Sequence, residues 1–197
     1  MTPVGTAHTY LVESTAPTSE PVTAAEQRTH MREDLNDSDN NTYIEGLITM
    51  ARRYVEARAN RSFVATTWAL YLDEFPDVIR LPRSPVSSVT SITYVDTAGD
   101  TQTLSSTLYR TDLFSQPARI TPVYGSVWPV PREVTNAVIV TFVSAYTTIP
   151  AEAKHAIKLL AAHWYAQREQ VVTGTIVAQI PMQAEALIGI LSDGGIL

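Results

Sequence analysis

The chain has no cysteine among its 197 residues. That excludes disulfides, thiolate metal sites and thiol nucleophiles. The lack of such covalent staples favours an intracellular origin. No apolar run approaches the roughly 20 residues that span a bilayer, so no membrane role is expected. The opening stretch MTPVGTAHTYLVESTAPTSE has no basic segment followed by an apolar one, and no secretory signal is expected from it. The N-x-S/T triplets at Asn40 and Asn60 therefore read as chance matches rather than glycan acceptors.

Positive charge is in the minority, with 14 Lys and Arg against 20 Asp and Glu and a net charge of -6. A protein that grips nucleic acid carries a basic stripe, and none is seen. An acidic wall is compatible with DNA that slides past without sticking. Catalytic motifs are lacking as well: HExxH, GxSxG, a Walker loop and GxGxxG are all absent from the sequence. Asp37, Asp39 and Asn41 have the first three spacings of a calcium loop. Thr42 stands where the turn glycine belongs and Ile48 where the bidentate glutamate belongs, so helix capping is the simpler reading. His155 and His163 lie eight residues apart, about 12 Å along a helix, too far to share a metal. No cofactor is expected.

The composition is that of a folded protein, 45% hydrophobic and 17% charged. Residues 1–20 are rich in Thr, Ser, Pro and Ala, and cannot bury enough surface alone to offset their ordering entropy. They are expected to form an arm that is extended or ordered only against a partner. Thr23 and Glu26 have capping-box spacing, predicting a short helix over about 24–32. NDSDNN supplies a turn and a second N-cap at Asp39 or Asn40. Ile44, Leu47, Ile48, Ala51, Tyr54 and Val55 then recur every three or four residues, predicting a helix over about 41–59. Arg52, Arg53, Glu56 and Arg58 fall mostly off that stripe.

From Phe63 to Tyr146 the pattern turns to short alternating runs punctuated by Pro and Gly. TTWALYLDEF, VIRL, SVTSITYVD, TQTL, TLYRTDL, ARITPV and NAVIVTFVSAY predict seven strands of a small antiparallel sandwich or barrel. Pro150 restarts helical spacing, with Ala153, Ala156, Ile157, Leu160, Ala161 and Trp164 as a core stripe through about Gln170. VVTGTIVAQIP is a connector, Met182–Leu191 a last short helix, and SDGGIL a hinge with two exposed apolar residues. The fold class is α+β: a helical platform over 21–61 and 150–191, an inserted β-domain over 62–149, and a C-terminal tail over 192–197.

The stretch HWYAQRE, residues 163–169, poses the question of chemistry most directly. Trp164 belongs to the core stripe, while Arg168 and Glu169 fall at the helix end and have no nucleophile or second base beside them. Asp73, Glu74 and Asp77 with Trp68, Trp128, Tyr94, Tyr109 and Tyr124 suggest a carbohydrate-binding or glycan-processing module as an alternative. An enzyme is not expected.

Several stretches in this order resemble the head–tail connector, or adaptor, proteins of tailed bacteriophages. They are EPVTAAEQRTHMR, LITMARRYVEARANRSFVATTW, FPDVIRLPRSPVSSVTSITYVDTAGDTQTL, ARITPVYGSVWP, NAVIVTFVSAY and AHWYAQRE. The resemblance runs from about Glu20 to Gln170. It implies a virion protein assembled in the bacterial cytoplasm, forming a twelve-fold homo-oligomeric ring under the portal protein. Such a ring extends the channel through which double-stranded DNA passes, helps retain the genome and docks the stopper or tail; a stopper or tail-completion role is the nearby alternative. It further implies subunit or portal contacts, for which Arg52, Arg53, Arg58, Arg168, Glu169, Ile190, Leu191, Ile196 and Leu197 are the candidates.

Overall fold

The structure is a computed structural model that describes residues 9–34, 40–167 and 180–192. The fold is α+β, with four helices and two antiparallel sheets among the described residues. Residues 9–17 and 65–145 form one compact unit; the remaining described residues form the other. The chain passes between them after Pro17, Val64 and Ala145.

In the first unit the strands are β1 (Thr9–Thr15), β2 (Thr66–Leu72), β3 (Ile79–Leu81), β4 (Val86–Val95), β5 (Thr101–Thr103), β6 (Tyr109–Asp112), β7 (Ala118–Pro122) and β8 (Val138–Ser144). One sheet has the order β1-β2-β8-β4-β5 and the other β3-β7-β6. All pairings are antiparallel. Strict alternation makes β8 the central strand, since Val138, Val140, Phe142 and Ser144 all point to the buried side. Leu70, Leu72, Val86 and Ile92 from the same sheet meet Ile79, Leu81, Ala118 and Ile120 of the smaller sheet in one core. This is a sandwich, as the alternation predicts.

Carboxylates close the turns. Asp96 Oδ1 accepts from the amides of Ala98, Gly99 and Asp100 after β4, and Gly99 takes a φ of +101° that the turn requires. Asp112 does the same after β6: it accepts from the amides of Phe114 and Ser115, from the Ser115 hydroxyl and from Arg119 Nε at 2.8 Å.

The second unit holds α1 (Ala24–Met31), α2 (Asn41–Ala59), α3 (Ala151–Ala166) and α4 (Met182–Ser192). Thr23 and Glu26 form the predicted reciprocal cap at 3.1 and 2.8 Å. Helix α2 ends at Asn60, whose φ of 52° is left-handed. Its buried stripe Ile44, Leu47, Ile48, Ala51 and Val55 packs with Ala153, Ala156, Ile157 and Leu160 of α3 and with Ala184, Ile188 and Leu191 of α4.

The arm, expected to be extended or ordered only against a partner, contains the extended strand β1, which pairs with β2 of its own chain from Thr9↔Leu72 onward. Three local expectations change. Asn40 precedes α2 without a side-chain cap bond. Helix α3 stops at Ala166 rather than near Gln170, where the Gln167 amide returns to the His163 carbonyl. Trp164 is half-buried, edge-on to Tyr54 at 6.3 Å, rather than fully enclosed. The connector over 171–179 and the calcium-like Asp37 and Asp39 lie outside the described residues.

The hydrogen bonds to Asp112, from Ser115 and then Arg119, hold its carboxyl down from 3.8 to about 2. The folded state thus resists protonation, so this contribution is complete above about pH 4 and is lost as pH falls toward 2. Asp112→Asn should lower the melting temperature at neutral pH, and its deficit against the parent chain should shrink across that window in thermal melts.

Candidate functional site

The densest polar cluster is built on α2. Arg52 Nε donates to Glu20 Oε2 at 2.7 Å and Nη1 to Glu56 Oε2 at 2.6 Å. Arg52 is only 4% exposed. The remaining acceptors are used: Glu20 Oε1 takes the Thr49 hydroxyl at 2.8 Å, and Glu56 Oε1 takes the Phe63 amide at 2.7 Å. Burial opposes the charge on Arg52, but the bonds and fields of Glu20 and Glu56 outweigh it and raise its pKa. Glu20 and Phe63 each lie within three residues of a point where the chain leaves this unit, and Tyr146, at the third, packs on Phe63 with ring centroids 6.0 Å apart. The cluster anchors the platform and offers no reactive group.

A second cluster joins α1 to α3. His30 and His155 meet edge-on at 5.8 Å, and Gln27 Nε2 donates to the Lys158 carbonyl at 3.1 Å. The chain's only lysines, Lys154 and Lys158, flank His155. Desolvation, then the fields of His155 and Lys158, lower the His30 pKa. Arg28 of α1, fully buried, donates twice to Asn41 Oδ1 and once to the Asp34 carbonyl. Asn41 thereby serves in packing rather than in a calcium loop.

The candidate contact residues separate on exposure. Arg53 and Arg58 are exposed on α2, and Ile190 is exposed on α4. Arg52 and Leu191 are buried: Arg52 is held by Glu20 and Glu56 of its own chain, and Leu191 packs in the core with its carbonyl accepting from Arg61 Nε at 3.1 Å. The helical period places Arg52 beside the apolar stripe, and its acidic partner Glu20 lies 32 residues away, which no local pattern reveals. Arg168, Glu169, Ile196 and Leu197 lie outside the described residues.

The groups behind the glycan alternative serve the sandwich. Asp73 Oδ1 accepts from the Asn136 amide at 2.7 Å. Trp128 stacks on Phe75 at 5.1 Å, Phe75 meets Tyr94 edge-on, and the Arg83 guanidinium lies 5.0 Å over Trp68. Each of these rings thus has a packing partner within the sandwich. Tyr124 is fully exposed but stands in a loop after β7. Among the described residues no three His, Cys, Asp or Glu side chains gather as a metal site, and no helix is long and apolar enough to cross a membrane.

No protein-family model matches the chain, and no curated protein matches it. Solved structures do. A chain from the virion of a native gene transfer agent particle is 23% identical, with a TM-score of 0.72, covering 91% of this chain and 93% of that one. A chain from the neck of an empty particle of this kind, computed with C6 symmetry, gives 22% identity and 0.73 over 92% and 94%. A chain from the neck of the native particle, computed with C12 symmetry, gives 22% identity and 0.67 over the same shares. The likeness extends over both units and establishes a shared fold.

Removing one member of a buried ion pair strands the other charge, at about 3–5 kcal/mol. Arg52→Ala should therefore destabilise the chain by about that amount in urea unfolding, whereas Arg58→Ala on the exposed face should cost under about 1 kcal/mol. Because the His30 pKa is depressed below 6.5, its neutral form contributes stability above that pH, lost as pH falls through the depressed value. His30→Gln should flatten the stability profile below pH ~6.5, read as denaturation midpoints against pH.

Proposed function

We propose that this chain is a structural head–tail connector of a phage-like particle, an adaptor that assembles as a ring under the portal. In this role the ring extends the DNA channel, helps retain the genome and provides the surface on which the stopper or tail docks. The observation that carries the reading is the fold likeness, over nine-tenths of the chain, to chains of gene transfer agent virion and neck structures. The C12 symmetry used for one of those necks supports a twelve-fold arrangement. The net charge of -6 supports a lumen that double-stranded DNA traverses without sequence-specific binding.

The same role accounts for a molecule whose buried carboxylates and aromatic rings hold the fold together. It works by assembly, without catalysis or a cofactor, and belongs in the virion neck after assembly in the bacterial cytoplasm. The platform over 21–61 and 150–191, the β-domain over 62–149 and the tail over 192–197 are the parts of the ring subunit. Arg53, Arg58 and Ile190 are the candidate contacts on described residues, with Arg168, Glu169, Ile196 and Leu197 completing the set toward the portal or the neighbouring subunit.

Electron microscopy of the purified chain, alone and mixed with the portal protein of its own particle, tests this reading. The expected outcome is a ring of about twelve subunits seated directly on the portal. A chain that stays monomeric and never binds the portal overturns the proposal. A ring one layer further from the capsid assigns it to the stopper instead.

A further inference from the structure

The platform carries two outward helix faces that its own core does not use. On α4, Met182, Ala186 and Ile190 recur every fourth residue and form a single stripe. Met182 is 84% and Ile190 61% exposed. The face opposite holds Ala184, Ile188 and Leu191 in the core. The stripe is uncharged; the only ionisable group on α4, Glu185, lies to one side of it. On α2, Gly46 and Met50 form the outward face, opposite the buried Ile44, Ile48 and Val55, while Tyr43 leans on Tyr165 of α3 with ring centroids 6.1 Å apart. Met50 is 55% exposed. Nothing lies within 4 Å of where a side chain at Gly46 would begin, so an open notch stands beside Met50. Arg58, exposed, flanks this second face.

We infer that the α4 stripe of one copy docks on the α2 stripe of a second copy, making the heterologous contact that closes the ring. This rests on the adaptor reading above. The occupant is a second copy because the two faces complement each other and neither complements itself. Ile190 or Met182 fits the Gly46 notch, and Met50 lies over the small Ala186. The sole acid of α4 meets the α2 face that carries Arg58. An isologous α4–α4 contact would bring two Glu185 side chains together and leave α2 uncovered. A heterologous contact covers both faces in every copy, and repeated by rotation it generates a closed ring. The exposed ion pairs set register and contribute little; the apolar stripes supply the attraction.

The absence of cysteine makes disulfide trapping specific. Full-length Met50→Cys, Ala186→Cys and the double variant would each be assembled, oxidised and run on non-reducing gels, with particle mass read in parallel. The inference expects most of the double variant to become a ladder of covalent multimers. It also expects the two single variants to form covalent dimers only when mixed. A disulfide within one chain, or dimers from either single variant alone, overturns it. Rings of normal mass that fail to cross-link also overturn it and leave the adaptor reading standing. Chains that form no ring under any condition overturn the adaptor reading and this contact together.

Discussion

The helical platform is organised around a buried positive charge. A guanidinium as enclosed as that of Arg52 persists only if its lost hydration is replaced, and two carboxylates on opposite sides replace it. Two anions around one cation leave an excess of negative charge, which is offset because Glu20 Oε1 accepts from the Thr49 hydroxyl as well as from Arg52 Nη2, and Glu56 Oε1 accepts from the Phe63 amide. The segment preceding α1 and the turn following α2 must therefore return to the same place. The apolar contacts of α2 with α3 and α4 are made by helices whose ends this cluster has already set.

The sandwich depends on a different constraint. Its central strand β8 alternates without a break, so a slip of one residue would turn Val138, Val140 and Phe142 out of the core. Register is thus strongly specified at the centre and less so outward. At one edge, β1 has no fully buried side chain and is held by its ladder with β2, aided by Leu11 against the core. At the turns, Asp96 and Asp112 replace the missing ladder bonds with carboxylate acceptors. Of the aromatic residues that a ligand-binding reading would need, Trp128 and Tyr94 pack on Phe75 and Trp68 lies under Arg83, while Tyr124 is exposed.

For function, what matters is where polarity has been used up and where apolar surface has been left over. The carboxylates with the closest partners are structural, and so is Arg52. Exposed apolar groups remain on α2 and α4, on helices rigid enough to present them in fixed register. The fold itself is shared with chains of gene transfer agent virion and neck structures.

The sequence by itself determined the element types and their order. Helical spacing located α2, α3 and α4, the Thr23–Glu26 box located the start of α1, and alternation located seven of the eight strands, because each signal is read within one or two turns or pleats. Strand β1 escaped because an edge strand needs no buried stripe, so TYLVEST shows little beyond its polar neighbours. Tertiary structure alone decided which charges are buried and which faces stay open. Arg52 is enclosed by a residue 32 positions away, His30 meets His155 from another helix, and Leu191 turns inward while Ile190, its neighbour, turns out. Those outcomes are set by distances between segments far apart in the chain, where periodicity carries no information and only the completed packing assigns each side chain its neighbours.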